Sequence, residues 1–180
     1  RRTLRVGGAR RGRRLLAGSA ALTLDPIWQS VDAFDDFVGR YEEIGIDEIT
    51  PLHCKNSEKI TVKTERINSI VISAMKQSLK AKLTKINPVI PFKDFIKMDQ
   101  RGKRLIAHCE NGADKKSIRK CLSKGDDAVI LIGPEGDFSR DEIQAASNSG
   151  YEEIQLGTSR LRTETAGIVA CHSVYFLNQQ

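Results

Sequence analysis

Apolar positions along this chain follow two alternating rhythms. Phe34, Phe37, Val38, Tyr41 and Ile44 fall at helical spacing, and Gly45 predicts the end of that helix. Ile46, Ile49 and Leu52 then suit a short strand stopped around Pro51. Thr64 opens a second helix, with Ile67, Ile70, Val71, Ala74, Met75 and Leu79 on one side. After Pro88 a brief helical turn holds Phe92, Phe95 and Ile96. Arg104 to His108 reads as a buried strand, followed by a loop over Cys109–Asp114 and a short helix near Ser117–Leu122. Ala128 to Ile132, apolar throughout, is the clearest strand.

Ser139-Arg-Asp-Glu142 matches the capping box S-x-x-E, so a helix starts there, and Asn148-Ser-Gly150 ends it. Glu153 to Leu156 is another short strand, and a final helix runs from about Thr163 to Leu177. Strands alternating with helices predict an α/β domain, a parallel sheet flanked by helices on both faces. No internal repeat is visible.

Length and composition agree with one globular domain: 180 residues, 39% hydrophobic and 29% charged. No apolar run approaches the roughly 20 residues of a membrane span. The net charge of +6 suggests nucleic acid, but its distribution changes the picture. The first 20 residues hold seven arginines and no acid, and without them 22 basic residues face 23 acidic ones. The body is near neutral, so affinity for a polyanion must come from a local patch or from the tail. Residues 1–24 are expected to be an Arg-rich disordered tail, with a transit peptide or a mis-started segment as alternatives, and 25–180 the folded domain.

Cys54, Cys109, Cys121 and Cys171 form no C-x-x-C pair, and three of them adjoin a histidine. Side chains adjacent on a strand point to opposite faces, so these pairs do not make a ligand set. The expectation is no metal, and free thiols in a reducing cytoplasm.

Two segments carry chemistry. Gly133-Pro-Glu-Gly-Asp137 joins the end of a strand to the start of a helix, where parallel sheets bind ligands. Gly133 and Gly136 let backbone approach a ligand, and Gly136 can take positive φ. The loop has neither a P-loop nor a G-x-G-x-x-G pattern, and its acids Glu135 and Asp137 oppose phosphate. It suits an adenine and a ribose held by backbone groups, or it is an ordinary turn. Leu156-Gly-Thr-Ser-Arg-Leu-Arg-Thr-Glu-Thr-Ala166 again joins strand to helix. Gly157 allows close approach, and Arg160 and Arg162 could face a polyanion. Glu164 suits the helix dipole. Ala166, Gly167, Ala170 and Ser173 on the last helix permit close packing, in the core or across a dimer.

Taken together, Leu131-Ile-Gly-Pro-Glu-Gly-Asp-Phe-Ser139 and Leu156–Ala166 resemble the paired signature of the bacterial 16S rRNA uridine-N3 methyltransferases, of the SPOUT superfamily. Glu43–Pro51, Ser73–Ser78 and Ile106–Glu110 fit as well, so the resemblance covers roughly residues 31–178. It implies a C-terminal trefoil knot, a rare exception to unthreaded topology. S-adenosylmethionine would lie in that knot, with Gly133, Pro134, Glu135 and Gly136 on one side. Leu156, Gly157, Leu161, Arg162, Thr163 and Ala166 would line the other side, and Ala107 and His108 a third. The resemblance also implies a homodimer, a cytoplasmic location, and 16S rRNA within the 30S subunit as partner. Such proteins begin with a PUA-like barrel, and here the Arg-rich segment stands in its place. Asp137 occupies what is often a third small position, and Asn56 stands near an expected arginine.

The implied reaction moves a methyl group from sulfonium to N3 of a uridine. The base must leave its stack, and the N3–H must lose its proton. Arg162 is the preferred catalytic residue, stabilising the uridine anion. Glu164 is a candidate base, although a helix N-terminus favours its charged form, with water or a residue from the partner subunit as alternatives. The rival reading is a non-catalytic RNA-binding protein or a truncated, inactive copy.

Overall fold

The structure is a computed structural model that describes residues 20–24, 31–57, 64–80, 82–110 and 114–179. Its elements in chain order are β1 (Ala20–Leu24), α1 (Val31–Ile44), β2 (Glu48–His53), α2 (Thr64–Gln77), β3 (Lys85–Ile86), β4 (Ile90–Pro91) and α3 (Phe92–Phe95). Then follow β5 (Lys103–Ala107), β6 (Lys116–Ser117), α4 (Ile118–Cys121), β7 (Ala128–Ile132), α5 (Arg140–Asn148), β8 (Glu152–Gln155) and α6 (Thr163–Gln179). The strands run in the order β3-β2-β1-β7-β5-β8-β6, with β4 paired to β2, and every pairing is parallel. This is the parallel α/β sheet that the alternation predicts.

The period of two along each strand divides the core into two layers. Ala128, Ile130 and Ile132 of β7 join Leu105 and Ala107 of β5 under α1, α2, α4 and α6. Val129 and Leu131 join Ile106 under α3 and α5. All five residues of β7 are buried, as a strand covered on both faces requires. The small residues Gly167 and Ala170 are buried, and Ala170 packs into the first layer, so the core use of that stripe holds within the chain.

Several expectations change. The expected tail boundary at residue 24 moves, because Ala20–Leu24 is a strand pairing with both β2 and β7. Residues 1–19 lie outside the described residues. The two-residue strands β3, β4 and β6 carry too short a pattern to be read from sequence. The left-handed residue of the 133–137 loop is Asp137, at φ 63°, and not Gly136. Gly45 and Gly150 do take positive φ after α1 and α5, at 112° and 85°. Among the described residues, no helix is long and apolar enough to cross a membrane.

The capping box of α5 forms and does more than cap. The Glu142 carboxylate accepts from the Ser139 amide at 2.9 Å and the Ser139 hydroxyl at 2.8 Å. Its other oxygen accepts from the Lys55 amide at 2.8 Å, which ties the loop after β2 to the start of α5. Glu142 is buried. Glu142→Ala removes three acceptor contacts at once and should cost about 2–3 kcal/mol, more than Ser139→Ala at about 1 kcal/mol. Urea unfolding of the two variants checks that order.

Candidate functional site

At the carboxyl ends of β5, β7 and β8 the chain forms a half-open cavity of about 810 Å³. That is ample for a nucleoside-sized ligand. Its walls are the strand ends at Ala107, Ile132 and Ile154, the loop from Gly133 to Asp137, and the segment from Gln155 to Thr163. The sheet itself positions these walls. Register pairs Ala107 with both Ile132 and Ile154, so the three strands end level and their outgoing loops converge.

Of the residues singled out in the sequence, Ala107, His108, Gly133, Pro134, Glu135, Leu156, Gly157, Leu161, Arg162, Thr163 and Ala166 all line this cavity. Gly136 does not. A Cβ there would lie 3.4 Å from the Asn56 side chain, an ordinary contact, so this position faces the loop after β2 and not the cavity. Gly157 is different: a Cβ there would meet nothing within 4 Å. Gly133 is closely hemmed in, because a Cβ would come within 3.0 Å of the Asp137 carboxylate and 3.1 Å of the Phe138 ring.

His108 reaches the wall while its side chain is withdrawn from solvent. Its Nε2 lies 2.9 Å from the Glu153 carboxylate, whose second oxygen accepts from the Ser147 hydroxyl of α5 at 3.0 Å. The ring therefore belongs to the α5 face of the sheet. The His108 carbonyl accepts from Lys115 Nζ at 2.8 Å, which brings an ammonium to the cavity wall.

The two proposed catalytic residues part company. Arg162 lines the cavity with an exposed side chain, and its carbonyl accepts from the Ala166 amide at 2.8 Å, which fixes it at the start of α6. Glu164 is absent from the cavity wall. Its carbonyl accepts a long bond from the Tyr41 hydroxyl at 3.5 Å, toward α1. Burial, with the nearby Cys171 and Glu164, pushes the Tyr41 hydroxyl well above its usual range. The Thr163 hydroxyl donates to the Gly133 carbonyl at 3.0 Å and so joins the two loops directly.

Sequence reading missed Cys109, Lys115 and Asp137 as wall residues. Asp137 carried a signal: an acidic side chain immediately after the second glycine of the Gly133–Gly136 loop. Lys115 follows residues 111–113, outside the described set, and nothing in its local pattern marks it. Among the described residues, no group of three or more His, Cys, Asp or Glu is placed to hold a metal ion.

Comparison with known proteins bears on what the cavity holds. The sequence profile of the family described as RNA methyltransferase domain matches residues 23–175. The chain is 32% identical over 141 residues to a ribosomal RNA small subunit methyltransferase E of Mesomycoplasma hyopneumoniae (strain 232), covering 76% of this chain and 61% of that protein. Another of that name, from Rickettsia conorii, is 32% identical over 138 residues, covering 75% and 56%. Among solved structures, a probable rRNA-methyltransferase from Porphyromonas gingivalis superposes with a TM-score of 0.84 at 37% identity, covering 90% of this chain and 68% of that one. A ribosomal RNA small subunit methyltransferase E from Neisseria gonorrhoeae bound to S-adenosyl methionine gives 0.73 at 29% identity, covering 89% and 67%. The chain thus spans about three fifths of the length of the curated relatives it matches.

All four cysteines are free, and Cys109 is the exposed one. Burial raises the Cys121 thiol and pushes the Cys171 thiol up to about 12, so both are protonated at neutral pH. One fast-reacting thiol is expected with Ellman's reagent at pH 8, followed by three slow ones. Loss of the fast phase in Cys109→Ser checks the assignment.

Proposed function

The chain belongs to the RNA methyltransferase domain family, and from that premise we propose that it transfers a methyl group from S-adenosylmethionine to N3 of a uridine in 16S rRNA. The observation that carries this reading is the convergence of both signature loops on one cavity at level strand ends. The Neisseria relative supports the cofactor, since it carries S-adenosyl methionine on the same fold. The substrate follows the names of the relatives, and the 30S subunit is the proposed partner.

The cavity fits such a cofactor on its own terms. Space opens above Gly157, where a side chain would stand. The loop 133–137 and the segment 155–157 offer backbone groups to an adenine and a ribose. The knot that the resemblance implies is proposed with it, and the Thr163–Gly133 bond ties the start of α6 to the neighbouring loop. Exposed Tyr175 and Phe176 on α6 support a homodimer. A cytoplasmic location follows from the substrate.

When bound, the cofactor supplies an electrophilic methyl group on sulfonium. The protein must then hold a flipped uridine in line and carry charge away from its ring. Arg162, exposed on the cavity wall, is the group suited to stabilise the uridine anion as the N3 proton passes to water. Glu164 does not line the cavity, so the Arg162 role draws more support than a base at 164. Lys115 adds a second positive charge at the wall, which suits a polyanionic substrate.

Calorimetric titration of the full chain with S-adenosylmethionine should show saturable binding. Gly157→Trp should abolish it with little change in melting temperature, because the new ring enters open space; Gly133 is the poorer probe, since any side chain there collides with Asp137 and Phe138. Arg162→Ala should lower methylation of unmethylated 30S subunits about 100-fold. A well-folded wild-type chain that binds no S-adenosylmethionine would sink this reading.

A further inference from the structure

Asp137 sits in a backbone conformation that a side chain resists. Its φ of 63° lies in the left-handed region, which glycine enters freely and other residues enter at a cost. The residue before it is a glycine that does not use this freedom. The strained position therefore carries a carboxylate where the simplest turn would carry no side chain at all.

Every hydrogen-bonding group of Asp137 is engaged. Its amide donates to the Pro134 carbonyl at 2.8 Å. One carboxylate oxygen accepts from the Phe138 amide at 2.8 Å. The other accepts from the Cys109 amide at 2.7 Å, across to the end of β5. Its carbonyl accepts from Asn56 Nδ2 at 3.0 Å, and the same Asn56 amide reaches the Gly136 carbonyl at 3.3 Å. One residue thus joins three segments: the loop after β2, the end of β5 and the loop after β7. Two of those segments are walls of the cavity.

We propose that Asp137 is a positioning residue for the cofactor cavity, whose carboxylate latches the β5 wall to the β7 loop through the Cys109 amide. Its left-handed backbone is held in place by those bonds, with Asn56 clamping the carbonyl from behind. The proposal rests on the reading that the cavity takes S-adenosylmethionine. The latch sets the spacing of the walls, so it acts on cofactor affinity rather than on the methyl transfer itself.

A latch and a plain turn predict opposite orders of affinity. Asp137→Gly relieves the backbone but removes both acceptors. Asp137→Asn keeps one acceptor and sets an amino group against the other N–H. Asp137→Ala loses both acceptors and keeps the strain. A latch gives affinity falling from wild type through Asn to Gly and then Ala, with about a ten-fold loss for Asp137→Gly from the missing charge-assisted bonds. A position that only needs left-handed backbone gives Asp137→Gly equal to wild type or tighter. Calorimetry with S-adenosylmethionine reads the order, and kcat at saturating cofactor should stay within a few-fold for Asp137→Asn.

Amide hydrogen exchange of Cys109 gives a readout that needs no ligand. It should quicken in Asp137→Gly and Asp137→Ala relative to wild type, and Asn56→Ala should quicken it to a smaller extent. Unchanged Cys109 exchange, or wild-type affinity in Asp137→Gly, would overturn the latch. If wild type binds no S-adenosylmethionine, the functional reading falls, and the exchange rates still decide whether the latch exists.

Discussion

The parallel pairing of β7 on both edges, together with its burial on both faces, is the constraint on which the rest of the structure depends. Five consecutive apolar residues, Ala128 to Ile132, can be fully buried only in the middle of a covered sheet. Their amides and carbonyls are then taken up by β1 on one side and β5 on the other. Once Ile132 is fixed opposite Ala107, and Ala107 opposite Ile154, the polypeptide must leave three neighbouring strands at one level. A concave surface at that level is the geometric result, and the two signature loops have no other place to go.

What converts this surface into a shaped cavity is a set of ties between loops. Thr163 bonds the 156–162 segment to Gly133, Asp137 bonds the 133–137 loop to Cys109, and Glu142 bonds the start of α5 to Lys55. Each uses a side chain to satisfy a backbone group that no strand or helix reaches. Loops held in this way keep their shape with little regular structure, which suits a site that must be ready for its ligand.

Much of this was legible in the sequence because the signals were local. The unbroken apolar run of β7 and the S-x-x-E box at Ser139 declare themselves within a few residues. Both loops were recognisable from composition, and most of their residues do face the cavity. The failures had a shared physical cause, dependence on distant partners. Ala20–Leu24 stood next to an arginine-rich run, and nothing local shows that β2 and β7 would accept it between them. The positive φ belongs to Asp137 instead of Gly136, and the carboxylate it carries takes its amide from Cys109, far away in sequence. His108 was placed on the wall by its position at a strand end, but the direction of its ring follows from Glu153 on the neighbouring strand.

The place of β1 also bears on how the chain reaches this state. Ala20 pairs with Ala128, so a central strand waits for a neighbour synthesised much later. Until β7 arrives, β1 and β2 offer unpaired backbone along one edge, the surface from which strands of separate molecules join. Contacts of such long sequence separation fold slowly, because the loop must close before the pairing gains anything.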